Sequence, residues 1–487
     1  MGAAAWTAVF IFVLPLALAV VAFALPRVAR VAALAAATWG LGAALALVYQ
    51  VARRGAFEVS LGGWAPPLGI AWRIDGAAAL MVLLTTAAYA AATLYRSVET
   101  AAAGDAGFEA SGRAQEGRLF ASLWLALLSA LCALMFSADA FNLYVALELV
   151  ALGAVALIAL PGGAALEASW RYLLATLAGS SLFLLGVALL YGQYGVLDLA
   201  LFGERIATGP AEAAAAALMT AGLLLKTAVF PLHFWLPAAH GRAPAAVSAV
   251  LSGVVVGAAF YVMARLWLGP FFGLLTAEAG ALLGGMGAAA VLWGGVLALA
   301  QRRLKMLLAY STVSQLGFAM LVFPIASAGA AELAWRGALA FVVAHGAAKA
   351  SLFLAAGAIA AHAGHDRVIR GRLEAPGLAY LAFALSAASL IGIPPTGGFV
   401  GKWWLLSAAV AAEAWLWAAV VLAGTLVTAA YLVRALDRLA PPAKGGASAQ
   451  TVYWLSLPAL ILALAAVGAA VGVPLLAPVL GSPAGGA

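Results

Sequence analysis

The chain alternates long apolar runs with short polar punctuation, and the runs come close to 20 residues each. A helix of that length crosses the hydrocarbon core of a bilayer. The short alternating strands that a transmembrane barrel requires do not occur. The pattern predicts about fourteen spans, starting near Trp6, Val31, Ile74, Leu119, Ala140, Trp170, Ala213, Val247, Ala281, Leu304, Trp335, Leu378, Trp415 and Val452. The expected class is therefore an all-α polytopic membrane protein. Tyr95–Arg118 is the most polar connection and the one expected to be an extended loop. The closing "GSPAGGA" reads as a tail without order of its own.

Two spans break the pattern. The seventh contains "LLLKTAVFPLHFWLPAAHGRAP" (Leu223–Pro244), and the twelfth contains "SLIGIPPTGGFVGKWWLL" (Ser389–Leu406). Interruptions at matching places in two halves are the mark of an inverted-repeat transporter. The predicted organisation places spans 1–3 in residues 1–118 and a first five-span repeat, spans 4–8, in 119–273. A second repeat, spans 9–13, occupies 274–440, and span 14 with the tail occupies 441–487. An odd number of spans per repeat inserts the second copy upside down. Proline removes backbone donors, and unpaired backbone at membrane depth is tolerated where it lines a wet cavity or is buried in protein. A kink that only shapes packing is the plain alternative, but each of these interruptions also carries a lysine, Lys226 or Lys402.

Composition sharpens this. Hydrophobic residues make up 66% and charged residues 9% of the 487, with a mean hydropathy of +1.08. A soluble domain carries about 25% charge. The first run, Trp6–Leu25, has no basic residue before it, which argues for a retained span over a cleaved signal peptide. The single cysteine, Cys132, excludes a disulfide framework, an iron–sulfur site and a CxxCH haem attachment. The net charge of +7 is spread over short loops, unlike a nucleic-acid surface.

The connections after odd-numbered spans carry Arg27, Arg30, Arg96, Arg113, Arg118, Arg171, Arg242, Arg302, Arg303, Lys305, Arg367, Arg370, Arg372, Arg434, Arg438 and Lys444. The opposite side carries only Arg53, Arg54, Arg73, Arg205, Arg265 and Arg336. The positive-inside rule makes the richer face cytoplasmic and puts both termini on the non-cytoplasmic side. The three remaining basic residues, Lys226, Lys349 and Lys402, fall inside spans, and all are lysines although arginine outnumbers lysine twenty to five. A buried lysine can release its proton, whereas arginine in effect cannot. That choice suits proton handling better than fixed charge.

Glu148, in "ADAFNLYVALELVALGAVALIAL", is the one acidic residue well inside a span, about 12 Å along the helix from Ala140 at 1.5 Å per residue. Lys226 is its natural partner within the same repeat. Such a pair can hold or release a proton as its separation changes, or it can be a static ion pair that fixes helix register. "HGAAKASLFLAAGAI" stacks His345 and Lys349 four apart on one face of span eleven, an arrangement suited to a relay. His233 and His240 flank the first interruption and are possible accessories. No carboxylate or thiolate joins them, so a metal or haem site is not expected, nor is any cofactor. His362 and His365 read as loop residues and Asp139 as an interfacial cap. Lys402→Ala is expected to reduce transport while leaving assembly intact.

Five stretches together resemble the antiporter-like subunits shared by Mrp-type sodium/proton antiporters, respiratory complex I and membrane-bound hydrogenases. They are "FNLYVALELV", "LLLKTAVFPLHFWLPAAHGRAPAAVSAVLSG", "RRLKMLLAYSTVSQLGF", "HGAAKASLFLAAGAI" and "GIPPTGGFVGKW". The likeness covers roughly Leu119–Arg434 and is strongest to the D-type component of the Mrp antiporters, with complex I's N-type component similar in the last stretch. It implies fourteen helices, of which seven and twelve are broken. It further implies that Glu148 and Lys226 are a coupled pair, that Lys349 with His345 lies on a central hydrophilic axis, and that Lys402 lies in the outer half-channel. The family usually has a lysine or histidine on helix eight, where this chain has Gly257 in "LSGVVVGAAFYV". The implied activity is proton conduction within a multisubunit sodium/proton antiporter, assembled with other membrane subunits in the cell membrane. Two readings stand beside it: a proton-pumping membrane-arm subunit of an NADH:quinone oxidoreductase or hydrogenase complex, and a structural subunit without transport.

Overall fold

A computed structural model describes residues 2–102, 113–368, 373–440 and 449–481. Arg370, Arg372, Lys444 and nearly all of the expected tail lie outside these residues. Two helices precede the first extended segment: α1 (Ala3–Ala24) and α2 (Ala29–Arg54). A hairpin of β1 (Phe57–Ser60) and antiparallel β2 (Ala71–Ile74) leads into α3 (Gly76–Ala102). Next come α4 (Arg113–Phe136), α5 (Ala140–Ala159), α6 (Ala164–Tyr194) and the short α7 (Leu199–Arg205).

Span seven is α8 (Pro210–Thr227) and α9 (Leu236–Arg242). Span eight is α10 (Ala245–Val250), a π-helical turn at Leu251–Val255, and α11 (Val256–Trp267). The later half runs α12 (Ala277–Ala300), α13 (Leu304–Met320), α14 (Val322–Ile325) and α15 (Ala331–Ala363). The two-residue β3 (Leu373–Glu374) precedes span twelve, which is α16 (Gly377–Ile391) and α17 (Gly397–Ala411). α18 (Trp415–Asp437), β4 (Leu439–Ala440) and α19 (Ala449–Leu476) complete the fold.

Among the described residues, 11 helical segments are long and apolar enough to cross a membrane. One of them, Leu304–Ala363, holds two spans. Gly329, at φ 102°, breaks it, and Arg303 at its start bridges Arg367 just past its end. With the two interrupted spans, which are not among the eleven, the total is the expected fourteen. The expected loop Tyr95–Arg118 is helical at both ends, because α3 continues to Ala102 and α4 begins at Arg113. An amphipathic extension satisfies its own backbone hydrogen bonds, which an open loop near the bilayer does not.

Short ladders tie the connections of each face together. Trp72 bridges Ser137 and Asp139 bridges Asp198 on the face holding β1 and β2. Arg303 bridges Arg367, and β3 pairs in parallel with β4, on the arginine-rich face. Asp139 caps α5 by accepting from the Asn142 amide at 2.6 Å, as its place at a span end suggests.

The interior is formed by span eight, buried from end to end, with α13 and α15 packed against it. One tight crossing here pairs glycines. A Cβ on Gly253 would stand 2.6 Å from the Gly346 carbonyl oxygen, and one on Gly346 would strike the Gly253 carbonyl oxygen in return. Without side chains at this crossing the backbones of span eight and α15 can touch, as small residues permit in membranes. α1 and α19 are among the least enclosed of these spans.

Candidate functional site

Both interrupted spans stop at a left-handed residue: Ala228 at φ 56° after α8, and Gly392 at φ 91° after α16. Each stop frees carbonyls from the helix ladder. In span seven, Trp235 reaches back from the gap and donates its indole N–H to the Leu225 carbonyl at 2.9 Å, while its ring stacks on Tyr172 at 4.2 Å. That leaves Lys226, in the last turn of α8, free to point elsewhere. A cation at that position is favoured by the helix dipole.

The Lys226 Nζ stands 3.6 Å from Glu148 Oε1 of α5 and donates to Thr176 Oγ1 of α6 at 2.7 Å. Both side chains are largely withdrawn from solvent, 6% exposed for Lys226 and 17% for Glu148. Glu148 Oε1 has no hydrogen-bond partner among the described residues. The structure therefore brings the two sequence-selected residues together as an ion pair that is close but not bonded. Thr176, which holds the lysine, was not singled out from sequence. A threonine in an apolar run is too common in membrane helices to stand out.

A second cluster lies at the centre. Lys349 of α15 donates to the Leu308 carbonyl of α13 at 2.6 Å and to the Ser311 hydroxyl. The same carbonyl accepts from the Ser311 and Thr312 hydroxyls, each at 3.0 Å. Thr312 in turn meets Ser252 of the π-helical turn at 2.7 Å. Gln315 donates to Thr428 and Tyr431 of α18, both at 2.9 Å. Sequence reasoning missed this polar ribbon on α13. The trace was present in "YSTVSQ", where Ser311, Thr312, Ser314 and Gln315 crowd one region of an otherwise apolar helix. The π-helical turn was not foreseeable from residue pattern. Such turns often mark functional positions in helices.

His345 is fully enclosed, stacks on Phe341 at 5.9 Å, and has no hydrogen-bond partner on either ring nitrogen among the described residues. It lies within electrostatic reach of both Lys349 and Lys402. Lys402, on α17, donates to the carbonyls of Leu390 and Ile391 at 2.8 and 3.2 Å, and its Nζ stands 4.2 Å from the Phe318 ring centre. Those carbonyls end α16, so the lysine closes the gap in its own span. These contacts give Lys402 a place in the packing of its own span.

Of the accessory histidines, His240 is buried, stacks on Phe353 at 4.9 Å and lies in reach of Lys349 and Lys305. His233 is half-buried beside Phe230, 5.7 Å between ring centres. They therefore belong to different surroundings. His362 lies at the arginine-rich face, 3.6 Å from Glu374. Gly257 faces α15, where an added Cβ would meet Val342 at an ordinary 3.4 Å.

Comparison with known proteins places this arrangement. The family described as NADH:quinone oxidoreductase/Mrp antiporter, TM matches residues 137–466. An NADH-quinone oxidoreductase subunit N from Desulforudis audaxviator is 35% identical over 88% of this chain and 85% of its own length. The D-type component of the Na(+)/H(+) antiporter of Bacillus subtilis is 30% identical over 77% of this chain and 74% of its own. Among solved structures, a chain of the Mrp complex from Dietzia sp. superposes with a TM-score of 0.85 at 26% identity, covering 99% of this chain and 97% of that one. A chain of respiratory complex I from Thermus thermophilus shares the fold, with a TM-score of 0.74 at 24% identity over 98% of this chain and 99% of that one. The chain is thus a multi-pass integral membrane protein that belongs to the family of membrane subunits shared by NADH:quinone oxidoreductases and Mrp antiporters.

Proposed function

We propose that this chain is the proton-translocating subunit of a multisubunit monovalent cation/proton antiporter, working with other membrane subunits. The observation that carries the reading is the Glu148–Lys226 pair, 3.6 Å apart across α5 and α8 beside an interrupted span. Charged groups are expensive at membrane depth and are generally retained there for use. Protons enter beside the two interruptions. With Glu148 close, the Lys226 ammonium is held; when the carboxylate moves away, the desolvated amine passes its proton inward. The inward route runs past Lys349 and His345 to Lys402, with the hydroxyl ribbon of α13 alongside. Water beside Gly257 takes the place of the helix-eight side chain that relatives usually carry. In this reading residues 119–273 and 274–440 are inverted repeats, each with one interrupted span, and the arginine-rich face is cytoplasmic with both termini opposite.

The test is cation-dependent proton flux in inverted membrane vesicles carrying the full complex. Glu148→Gln keeps the side chain's shape and removes its charge, so flux should fall by roughly tenfold or more while the complex remains in the membrane. Unchanged flux refutes the reading and leaves a structural subunit. A second reading, a proton-pumping membrane-arm subunit of a redox-driven quinone oxidoreductase, is favoured by the 35% identity to a subunit N over most of both chains. Flux that needs an oxidisable donor and no sodium or potassium would select it.

A further inference from the structure

Where α1, α2, α3 and α4 meet the arginine-rich face, a cavity of about 930 Å³ opens, and no residue of the proposed pathway lines it. Its walls are short. Ala29 and Ala33 of α2 and Ala121 of α4 line one side, and alanines dominate the small satellite core beneath it. Alanine lets helices approach but cannot fill the space between them, so a slot remains. Phe120 and Trp124 form the inner wall. The indole N–H of Trp124 is already satisfied by Thr93 at 2.9 Å, so what it offers the slot is hydrocarbon.

The mouth is different. Arg27, Arg30 and Arg96 all line it. Arg96 is neutralised by Glu99 at 2.7 Å, whereas Arg27 and Arg30 are exposed and make no ion pair among the described residues. Beside it, Arg118 lies over the Phe23 ring at 4.8 Å, and its Nε is buried without a hydrogen-bond partner among the described residues. An apolar slot of this size, capped at the membrane boundary by guanidinium groups that are unpaired among the described residues, is complementary to an anion carrying a hydrocarbon chain.

We propose that this cavity binds an anionic glycerophospholipid, with the phosphate at Arg27 and Arg30 and an acyl chain in the alanine-walled slot. The inference rests on the guanidinium groups and the slot and is independent of the transport reading. The slot selects for a chain and the rim selects for negative charge, so neither a zwitterionic lipid nor a free phosphate satisfies both.

The full chain, delipidated in detergent, is titrated with phosphatidylglycerol, phosphatidylcholine and inorganic phosphate, and bound lipid is counted by native mass spectrometry. Phosphatidylglycerol should be retained over phosphatidylcholine, and the double variant Arg27→Gln/Arg30→Gln should weaken its retention roughly tenfold to thirtyfold. Ala33→Leu on α2, and independently Ala121→Leu on α4, should displace the lipid by filling the slot while leaving the melting temperature unchanged or raised. Equal retention of the two lipids, indifference to the arginine substitutions, or full displacement by inorganic phosphate would overturn the proposal. So would a partner subunit's helix found in the slot of the assembled complex.

Discussion

Lys402 donates from Nζ to the carbonyl oxygen of Leu390 at 2.8 Å, spanning the gap between the two halves of its own transmembrane segment. The lysine therefore caps α16, and in the proposed pathway it also offers a proton-bearing amine at membrane depth. Lys402→Ala leaves the Leu390 and Ile391 carbonyls without this donor, and a buried acceptor left unpaired costs about 1–3 kcal/mol. Lys402→Arg keeps a donor and a fixed charge but holds its proton. The expected result is that both variants lose flux while only the alanine variant also melts earlier. Thermal melts in detergent beside vesicle flux separate the two tasks. Full flux in Lys402→Arg would remove the amine from the pathway.

Thr176 sets where Lys226 points. Its hydroxyl accepts from Nζ at 2.7 Å, closer than the carboxylate of Glu148. Thr176→Val keeps the shape and deletes the acceptor. A hydrogen bond to a charged group contributes about 1.5–3 kcal/mol, so flux should change by roughly tenfold or more if proton release is limited by the lysine's position. Thr176→Ser should restore most of the wild-type rate. Indistinguishable Val and Ser variants would show that the threonine only fills space.

Two glycines four residues apart in span eight should behave differently. A Cβ at Gly253 has only 2.6 Å to the Gly346 carbonyl oxygen, a backbone atom that cannot move aside. Gly253→Ala should destabilise the fold by about 1–3 kcal/mol through overpacking. At Gly257 the nearest atom to an added Cβ is Val342 Cγ1 at 3.4 Å, so Gly257→Ala should be close to neutral. Melting curves of the two variants, made side by side, check the contrast. Equal melting would mean that the crossing of span eight and α15 is looser than these distances imply.

These contrasts show which parts of the molecule were legible from residues alone. Span number and the two interruptions followed from apolar run length and proline placement, because bilayer thickness and backbone satisfaction leave few alternatives. The Glu148–Lys226 encounter could be anticipated because each is an isolated charge in oil and needs the other. What carbonyls do was not legible. Any residue supplies one, so nothing in the letters marks Leu308 or Leu390 as the acceptor of a lysine. The helical ends of the expected Tyr95–Arg118 loop were hidden for a related reason: polar composition says where water is, not whether the backbone there is helical.

Asp75 and Arg265 provide a pH-dependent test of the face opposite the arginine-rich one. Arg265, which the sequence puts on the side opposite the arginine-rich face, is the last-turn cation of α11 and forms a two-pronged pair with Asp75, at 2.8 and 3.1 Å. Asp75 also accepts from the Ala78 amide at 2.9 Å, at the start of α3. Burial alone would raise the Asp75 carboxyl, but the adjacent guanidinium and these hydrogen bonds outweigh it and hold the carboxyl below its usual value. A depressed folded-state value means the pair's contribution is complete above the unfolded-state value, about 4, and is lost as pH falls through the folded-state value. Asp75→Asn leaves Arg265 buried without its counter-charge, so at neutral pH it should destabilise the protein by about 3 kcal/mol. The gap between wild type and variant should hold at neutral pH and narrow below pH 4, as the wild-type carboxyl takes up its proton. Melting temperatures of both proteins across that range decide it, and a gap that does not change with pH would show that the pair contributes shape and not charge.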